Sequence, residues 1–90
     1  MVAVVPKHPA IITSEKLCAQ LAAVTREMRE QRELSQNKVG AIADLSCQMI
    51  GYVEKQTRTP SIDVYARIAF GLGVKLSDLI AEAERRAGIK

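Results

Sequence analysis

Residues 34–60 have the sequence LSQNKVGAIADLSCQMIGYVEKQTRTP and contain two short helical patterns separated by a turn. Ser35 and Ser46 are good N-cap residues, because a serine hydroxyl accepts a hydrogen bond from a free backbone N–H in the first helical turn. They predict one helix over about residues 36–43 and another over about residues 47–55. Two helices this short, joined so tightly, must pack directly on each other.

The pair has the side chains that close packing requires. Gly40 is small enough for the second helix to cross it closely, and Asp44 tolerates a positive φ better than most residues do. Leu45 then supplies an apolar plug for the turn. Ile50 and Val53 give the second helix an inward face, which leaves its other face exposed. That outward face is expected to contain Cys47, Gln48, Met49 and Tyr52.

A longer helical pattern precedes this pair. Thr13 and Ser14 are good N-cap residues, and apolar residues follow them at the spacing of one helix face, namely Leu17, Leu21, Val24 and Met28. The pattern predicts a first helix that ends near Arg32. Residues 1–13 contain two prolines and a short β-branched run. We predict an N-terminal arm there, either disordered or forming a strand against a partner subunit.

Two further helical patterns follow the pair. Ser61 is the expected N-cap of a fourth helix, whose apolar face contains Ile62, Tyr65, Ile68, Ala69 and Leu72. We expect Gly71 and Gly73 to end this helix, with Gly73 as the residue in the left-handed conformation. A fifth helix is predicted to begin near Leu76 and to end before Gly88.

The five helical patterns predict an all-α domain over residues 14–90, and the length and composition indicate a single domain. The chain has 90 residues, of which 48% are hydrophobic and only 3% aromatic, so its core must be built from aliphatic side chains. The net charge of +3 is compatible with a nucleic-acid partner, although the charges are spread along the chain. No apolar run is long enough to span a membrane, and no signal peptide is evident. We therefore expect a cytoplasmic protein.

Few residues are suited to catalysis or metal binding. Cys18 and Cys47 are the only cysteines and His8 is the only histidine. A structural zinc ion normally takes four ligands, so we expect no metal and no other cofactor. No grouping of a nucleophile with a base is visible either, and we expect that the protein is not an enzyme.

In residues 34–60, the spacing from Leu-Ser-Gln to Ile-x-x-Val-Glu and on to Pro resembles, without a gap, the helix-turn-helix of the Cro and phage-repressor family of XRE-type regulators. The similarity extends over about residues 24–80. It implies a five-helix lambda-repressor-like DNA-binding domain. It also implies a sequence-specific transcriptional regulator, a repressor that binds a palindromic operator on double-stranded DNA as a homodimer, with the fifth helix at the dimer contact.

Three residues depart from the family pattern. Gly40 stands where alanine is usual, and glycine inside a helix costs about 0.5–1 kcal/mol relative to alanine. Asp44 stands where glycine is usual, and Lys75 replaces the usual serine or threonine cap of the fifth helix. Together these departures predict a modestly stable domain.

The resemblance also implies roles for individual residues. Gln48 is the leading candidate for base recognition, because an amide can pair with adenine N6 and N7. Tyr52 is expected on a phosphate or a thymine methyl group, and Cys47 and Met49 on thymine methyl groups. The alternatives are solvated or packed surface residues and, for Cys47, a redox-sensing thiol.

Other residues are expected to position the protein on DNA or to stabilise it. The expected phosphate contacts are Gln36, Lys38, Lys55, Thr57 and Arg58, although Lys38 fits a solvated face equally well. Arg29 and Glu54 resemble a buried ion pair of the family, and the alternative is that both are exposed charges. A second function also remains open, namely a protein-interaction module such as an antitoxin, or a fold that has lost DNA binding. The diffuse charge and a recognition helix without basic residues keep that alternative open beside the leading DNA-binding function.

Overall fold

A computed structural model describes residues 5–89, which form five α-helices and no strands. The helices are α1 (Pro9–Gln31), α2 (Gln36–Ala43), α3 (Cys47–Glu54), α4 (Ile62–Leu72) and α5 (Leu76–Ala87). The predicted all-α class with five helices is confirmed. None of these helices has the length and apolar character needed to cross a membrane.

Local capping by serine explains why three of the helices begin where they do. The hydroxyl groups of Ser35, Ser46 and Ser61 each accept a hydrogen bond from the backbone N–H three residues later, at 3.0, 3.0 and 3.3 Å. Lys75 occupies the same position before α5 and makes no capping hydrogen bond with its side chain, as expected.

The predicted start of α1 was wrong. The helix begins at Pro9, and the Nδ1 atom of His8 accepts a hydrogen bond from the backbone N–H of Ala10 at 3.0 Å. Proline suits the first helical turn, because its φ is already helical and its missing N–H would have no partner there. Residues 9–13 of the predicted arm are therefore helical, and the rest of the arm prediction falls partly on residues 1–4, which lie outside the described residues.

All five helices contribute buried side chains to the core. It consists almost entirely of aliphatic side chains, as predicted, and its buried members include Leu21, Val24, Val39, Ile50, Val53, Tyr65, Ile68, Leu72 and Leu79. The most extensive helix contact joins α1 to α5. Leu79 and Ala83 of α5 are fully buried at 0% exposure, so the apolar face of α5 packs inside the domain.

Two glycines set the close approaches around α2. A Cβ atom on Gly40 would lie 2.6 Å from the carbonyl oxygen of Leu45, so the turn after α2 passes directly over this residue. Asp44 has the left-handed conformation with φ 55°, as expected. Gly71 does not end α4, contrary to expectation. It is buried within that helix, and a Cβ there would lie 3.1 Å from the carbonyl oxygen of Val39.

Candidate nucleic-acid interface

Helix α3 presents an outward face that differs in one residue from the expected one. Its inward residues Ile50 and Val53 are buried, while Cys47 and Gln48 are exposed and Tyr52 is half-buried. Met49 was expected on the outward face but packs against the hydrophobic core. The reason is the helical period, because residue 49 lies four positions before Val53 and so shares its side of the helix.

The outward face of α3 forms one side of a shallow depression of about 390 Å³. Its lining brings together six of the residues that sequence analysis selected, together with Gly51; they are Gln36, Cys47, Gln48, Tyr52, Lys55 and Thr57. No acidic side chain lines it among the residues that the structure describes. The surface therefore offers amides, hydroxyl groups and a cation to a ligand, which is the donor-rich chemistry that DNA requires.

Besides Met49, two of the selected residues, Arg58 and Lys38, are not among those that line this depression. The guanidinium carbon of Arg58 sits 4.8 Å from the centre of the Tyr52 ring, a cation–π distance. The ring thus holds Arg58 at the edge of the depression. Lys38 is exposed on α2, and its backbone N–H is bound by Ser35.

An ion pair connects α1 to the end of α3. Arg29 donates from Nε to Oε2 of Glu54 at 2.7 Å and from Nη2 to Oε1 at 3.0 Å. Its Nη1 atom also donates to the carbonyl oxygen of Leu34 at 2.9 Å. The side chains of Arg29 and Glu54 are only 14% and 4% exposed. The hydrogen bonds with Glu54 raise the pKa of the Arg29 guanidinium, and its partial burial opposes this rise.

The same pair orients Gln36. The Nε2 atom of Gln36 donates to Oε1 of Glu54 at 3.2 Å, which fixes the amide at the wall of the depression. An amide nitrogen carries two hydrogens, so one remains for a further acceptor. The buried ion pair therefore supports the interface, because it holds both α3 and the Gln36 side chain in position.

The role of Arg67 on α4 was not predicted from the sequence. Its Nε atom donates to the carbonyl oxygen of Ala43 at 3.1 Å, and its Nη2 atom donates to the carbonyl oxygen of Asp44. Carbonyl groups at a helix end lack intrahelical partners, so Arg67 satisfies the end of α2 and fixes the turn into α3. The only local signal is a cation on a helix, which does not reveal a partner 23 residues away.

Comparison with known proteins gives one match. A family model described as "Helix-turn-helix" matches residues 26–79, which is more than half of the chain. Searches of the curated proteins and of the solved structures find no match. The matched segment contains α2, α3 and α4 in full, and so it includes the whole depression described above.

Proposed function

Because the chain belongs to the XRE-type helix-turn-helix family of DNA-binding regulators, we propose that it recognises a specific operator sequence and represses transcription. The single observation that carries this proposal is the depression along α3, where an exposed amide lies among cationic and hydroxyl side chains with no acid between them. An α-helix with such a face fits the major groove, whose base edges present distinct patterns of donors and acceptors.

In the proposed complex, base recognition and positioning fall to different residues. Gln48 lies in the first turn of α3 and contacts a base edge, and Cys47 and Tyr52 lie beside it against thymine methyl groups. Met49 is not included, because it packs against the core. The phosphate contacts come from the surrounding residues, namely Gln36, Lys38, Lys55, Thr57 and Arg58.

A palindromic operator and a homodimer belong to the same proposal. Helix α3 has only eight residues, so one copy reaches few base pairs. Two copies that share a two-fold axis place their recognition helices about 10 base pairs apart, on the same side of the duplex. The second copy thereby doubles the number of bases that are read.

The test compares Gln48→Ala with Arg58→Ala on an operator selected from random DNA. Gln48→Ala should cost about 1–3 kcal/mol on the operator and little on scrambled DNA, because it removes a base contact. Arg58→Ala should weaken both complexes equally and reduce the slope of log K against log[salt] by about 0.9, because it removes one phosphate contact.

Arg85→Ala is the matched control, since it removes the same charge from the far helix α5. It should change neither affinity nor salt dependence appreciably. Equal losses for Gln48→Ala on operator and scrambled DNA would show that this face does not read bases. Failure of the wild-type protein to retard any DNA would favour the alternative function, a protein-interaction module.

A further inference from the structure

A second cavity, of about 250 Å³, lies between the first half of α1 and the loop that follows α3. Cys18 of α1 forms one wall, and Val53, Arg58 and Pro60 form the other. Tyr65 of α4 also lines the cavity. Ligand sites for drug-sized molecules usually measure about 300–1,000 Å³, so this cavity suits a smaller molecule.

The cavity depends on a part of the chain that the family match does not include. Its α1 residues, Ser14, Glu15 and Cys18, all precede the matched residues 26–79. They belong to the helical turns that begin at Pro9, well before the expected start of α1. The first half of α1 therefore adds a wall that the matched segment alone does not provide.

The polar groups of the cavity favour a particular ligand. Tyr65 is only 9% exposed, and no hydrogen bond from residues 5–89 reaches its hydroxyl group. Burial, and secondarily the nearby Cys18 thiol, raise the pKa of Tyr65 to about 12, so the hydroxyl keeps its proton at neutral pH. The hydroxyl oxygen itself is not fully buried, so it is a donor that an acceptor oxygen of a ligand in the cavity can reach.

The charges in the cavity point to an anion. The carboxylate of Glu15 is already bound by Lys7, at 2.8 and 2.9 Å. Arg58 is the only cation in the lining and has no carboxylate partner among the described residues 5–89. Val53 and Pro60 add apolar surface for the body of a ligand.

We propose that this cavity binds a small organic carboxylate, with the carboxylate on Arg58, a ligand oxygen on the Tyr65 hydroxyl, and the carbon skeleton against Val53 and Pro60. Binding of this ligand regulates DNA binding, and this part of the proposal rests on the proposed function. Arg58 borders both the cavity and the DNA-facing depression, where its guanidinium lies over Tyr52. A carboxylate that binds Arg58 competes with a DNA phosphate and so lowers the affinity for DNA. By linkage, DNA must lower the affinity for the carboxylate by the same factor.

The first experiment uses benzoate as the probe and benzamide as its uncharged counterpart. In ¹H–¹⁵N spectra of the full chain without DNA, benzoate should cause saturable shifts at Cys18, Arg58 and Tyr65, with a millimolar Kd. Benzamide should bind at least tenfold more weakly than benzoate. The variant Tyr65→Phe should bind benzoate more weakly than the wild type does, while its spectrum remains that of a folded protein. Cys18→Met, which fills the cavity, should abolish the shifts. Absence of saturable benzoate shifts in the wild-type protein would overturn the proposal.

The second experiment measures DNA affinity with and without saturating benzoate. Benzoate should lower the wild-type affinity by the same factor as Arg58→Ala does, and it should have no further effect on Arg58→Ala. Lys55→Ala is the matched control, because Lys55 lines only the DNA-facing depression. That variant should remain sensitive to benzoate. Equal benzoate sensitivity in the Arg58→Ala and Lys55→Ala variants would overturn the coupling through Arg58.

The two experiments separate this proposal from the proposed function. Benzoate shifts in a protein that binds no DNA would refute the DNA-binding function and leave the carboxylate site standing. Specific DNA binding in a protein without benzoate shifts would refute the carboxylate site and leave the DNA-binding function standing.

Discussion

The ion pair between Arg29 and Glu54 is the residue-scale feature with the largest expected effect on stability. Both side chains are mostly buried, and Arg29 makes two hydrogen bonds to the acid. Glu54→Ala leaves the guanidinium without its partner, and breaking a buried pair in this way costs about 3–5 kcal/mol. We expect a correspondingly lower urea midpoint with an unchanged slope of the unfolding free energy against urea.

An exposed pair at the start of α1 provides the control. Lys7 and Glu15 are 61% and 55% exposed, and surface pairs contribute about 0–1 kcal/mol. Glu15→Ala should therefore move the midpoint little. Equal midpoints for Glu54→Ala and Glu15→Ala would contradict the structural role of the Arg29–Glu54 pair.

Because of Tyr65, we predict that the folded protein loses stability at alkaline pH. Its pKa rises from 10.0 to about 12 on folding, because burial disfavours the phenolate. Between these values the unfolded chain has already lost the proton that the folded chain keeps, so rising pH favours unfolding. The stability from this group is complete below pH 10 and about 2–3 kcal/mol of it is lost as the pH rises to 12.

The variant Tyr65→Phe should not show this loss, since it has no proton to release. Urea unfolding at several pH values, compared between the two proteins, isolates the contribution of Tyr65 from that of the lysines. In Tyr52→Phe, Tyr65 is the only remaining tyrosine, and its ionisation followed at the phenolate absorbance should have a midpoint near pH 12. Identical pH dependence in wild type and Tyr65→Phe would refute the prediction.

At the scale of elements, the crossing between α2 and the turn into α3 depends on Gly40. A Cβ there would approach the backbone oxygen of Leu45 to 2.6 Å, and backbone cannot move aside cheaply. Gly40→Ala gains about 1 kcal/mol of helix propensity, but overpacking typically costs about 1–3 kcal/mol. We expect a net destabilisation in thermal unfolding, although alanine is the better helix former.

Gly51→Ala is the matched control within α3. Its Cβ would meet only the Gln36 side chain, at 3.6 Å, which is ordinary contact. That substitution should raise the melting temperature through helix propensity alone. A higher melting temperature for Gly40→Ala would contradict the tight crossing.

The elements that the sequence predicts well are those with local signals. The boundaries of α2 agree with expectation, because Ser35 caps it and Asp44 ends it within a few residues. The start of α1 was missed because a histidine cap and a proline at the first position resemble an irregular arm. Likewise, the burial of Gly71 depends on how α4 meets α2, which no local pattern contains.

The same distinction holds for the candidate interface. Cys47, Gln48 and Tyr52 line one depression because they lie on the single short helix α3, and Gln36, Lys55 and Thr57 lie close to that helix in the sequence. Met49 was expected on the outward face but packs against the core, because neighbouring positions of a short helix pass from one face to the other. Arg67 and the cavity around Tyr65 involve segments far apart in sequence, and their juxtaposition arises only from the packing of complete helices.

For the whole molecule, the helices differ in how much apolar surface they leave for a second copy. The family resemblance implies α5 at the dimer contact. In the structure, the apolar residues Leu79 and Ala83 of α5 are buried in the domain, and Arg86 is bound to Glu27 of α1. The largest exposed apolar side chains within the helices are Ile62 and Phe70 of α4, at 73% and 72%. They lie eight residues apart, so they share one side of that helix.

We therefore predict that the dimer forms through this side of α4 and that Phe70→Glu disrupts it. A charge placed in an apolar contact is costly, while the same charge on the exposed surface of a monomer is not, so the variant should remain folded. Light scattering at tens of micromolar protein should show a dimer for wild type and a monomer for Phe70→Glu. On DNA, the variant should lose affinity for two half-sites about 10 base pairs apart but keep its affinity for one half-site.

Ile11→Glu is the control, because Ile11 is a half-exposed apolar residue on α1, 50% accessible. A monomer for Ile11→Glu with a dimer for Phe70→Glu would move the contact to α1, and a wild-type monomer both with and without DNA would reject dimerisation altogether.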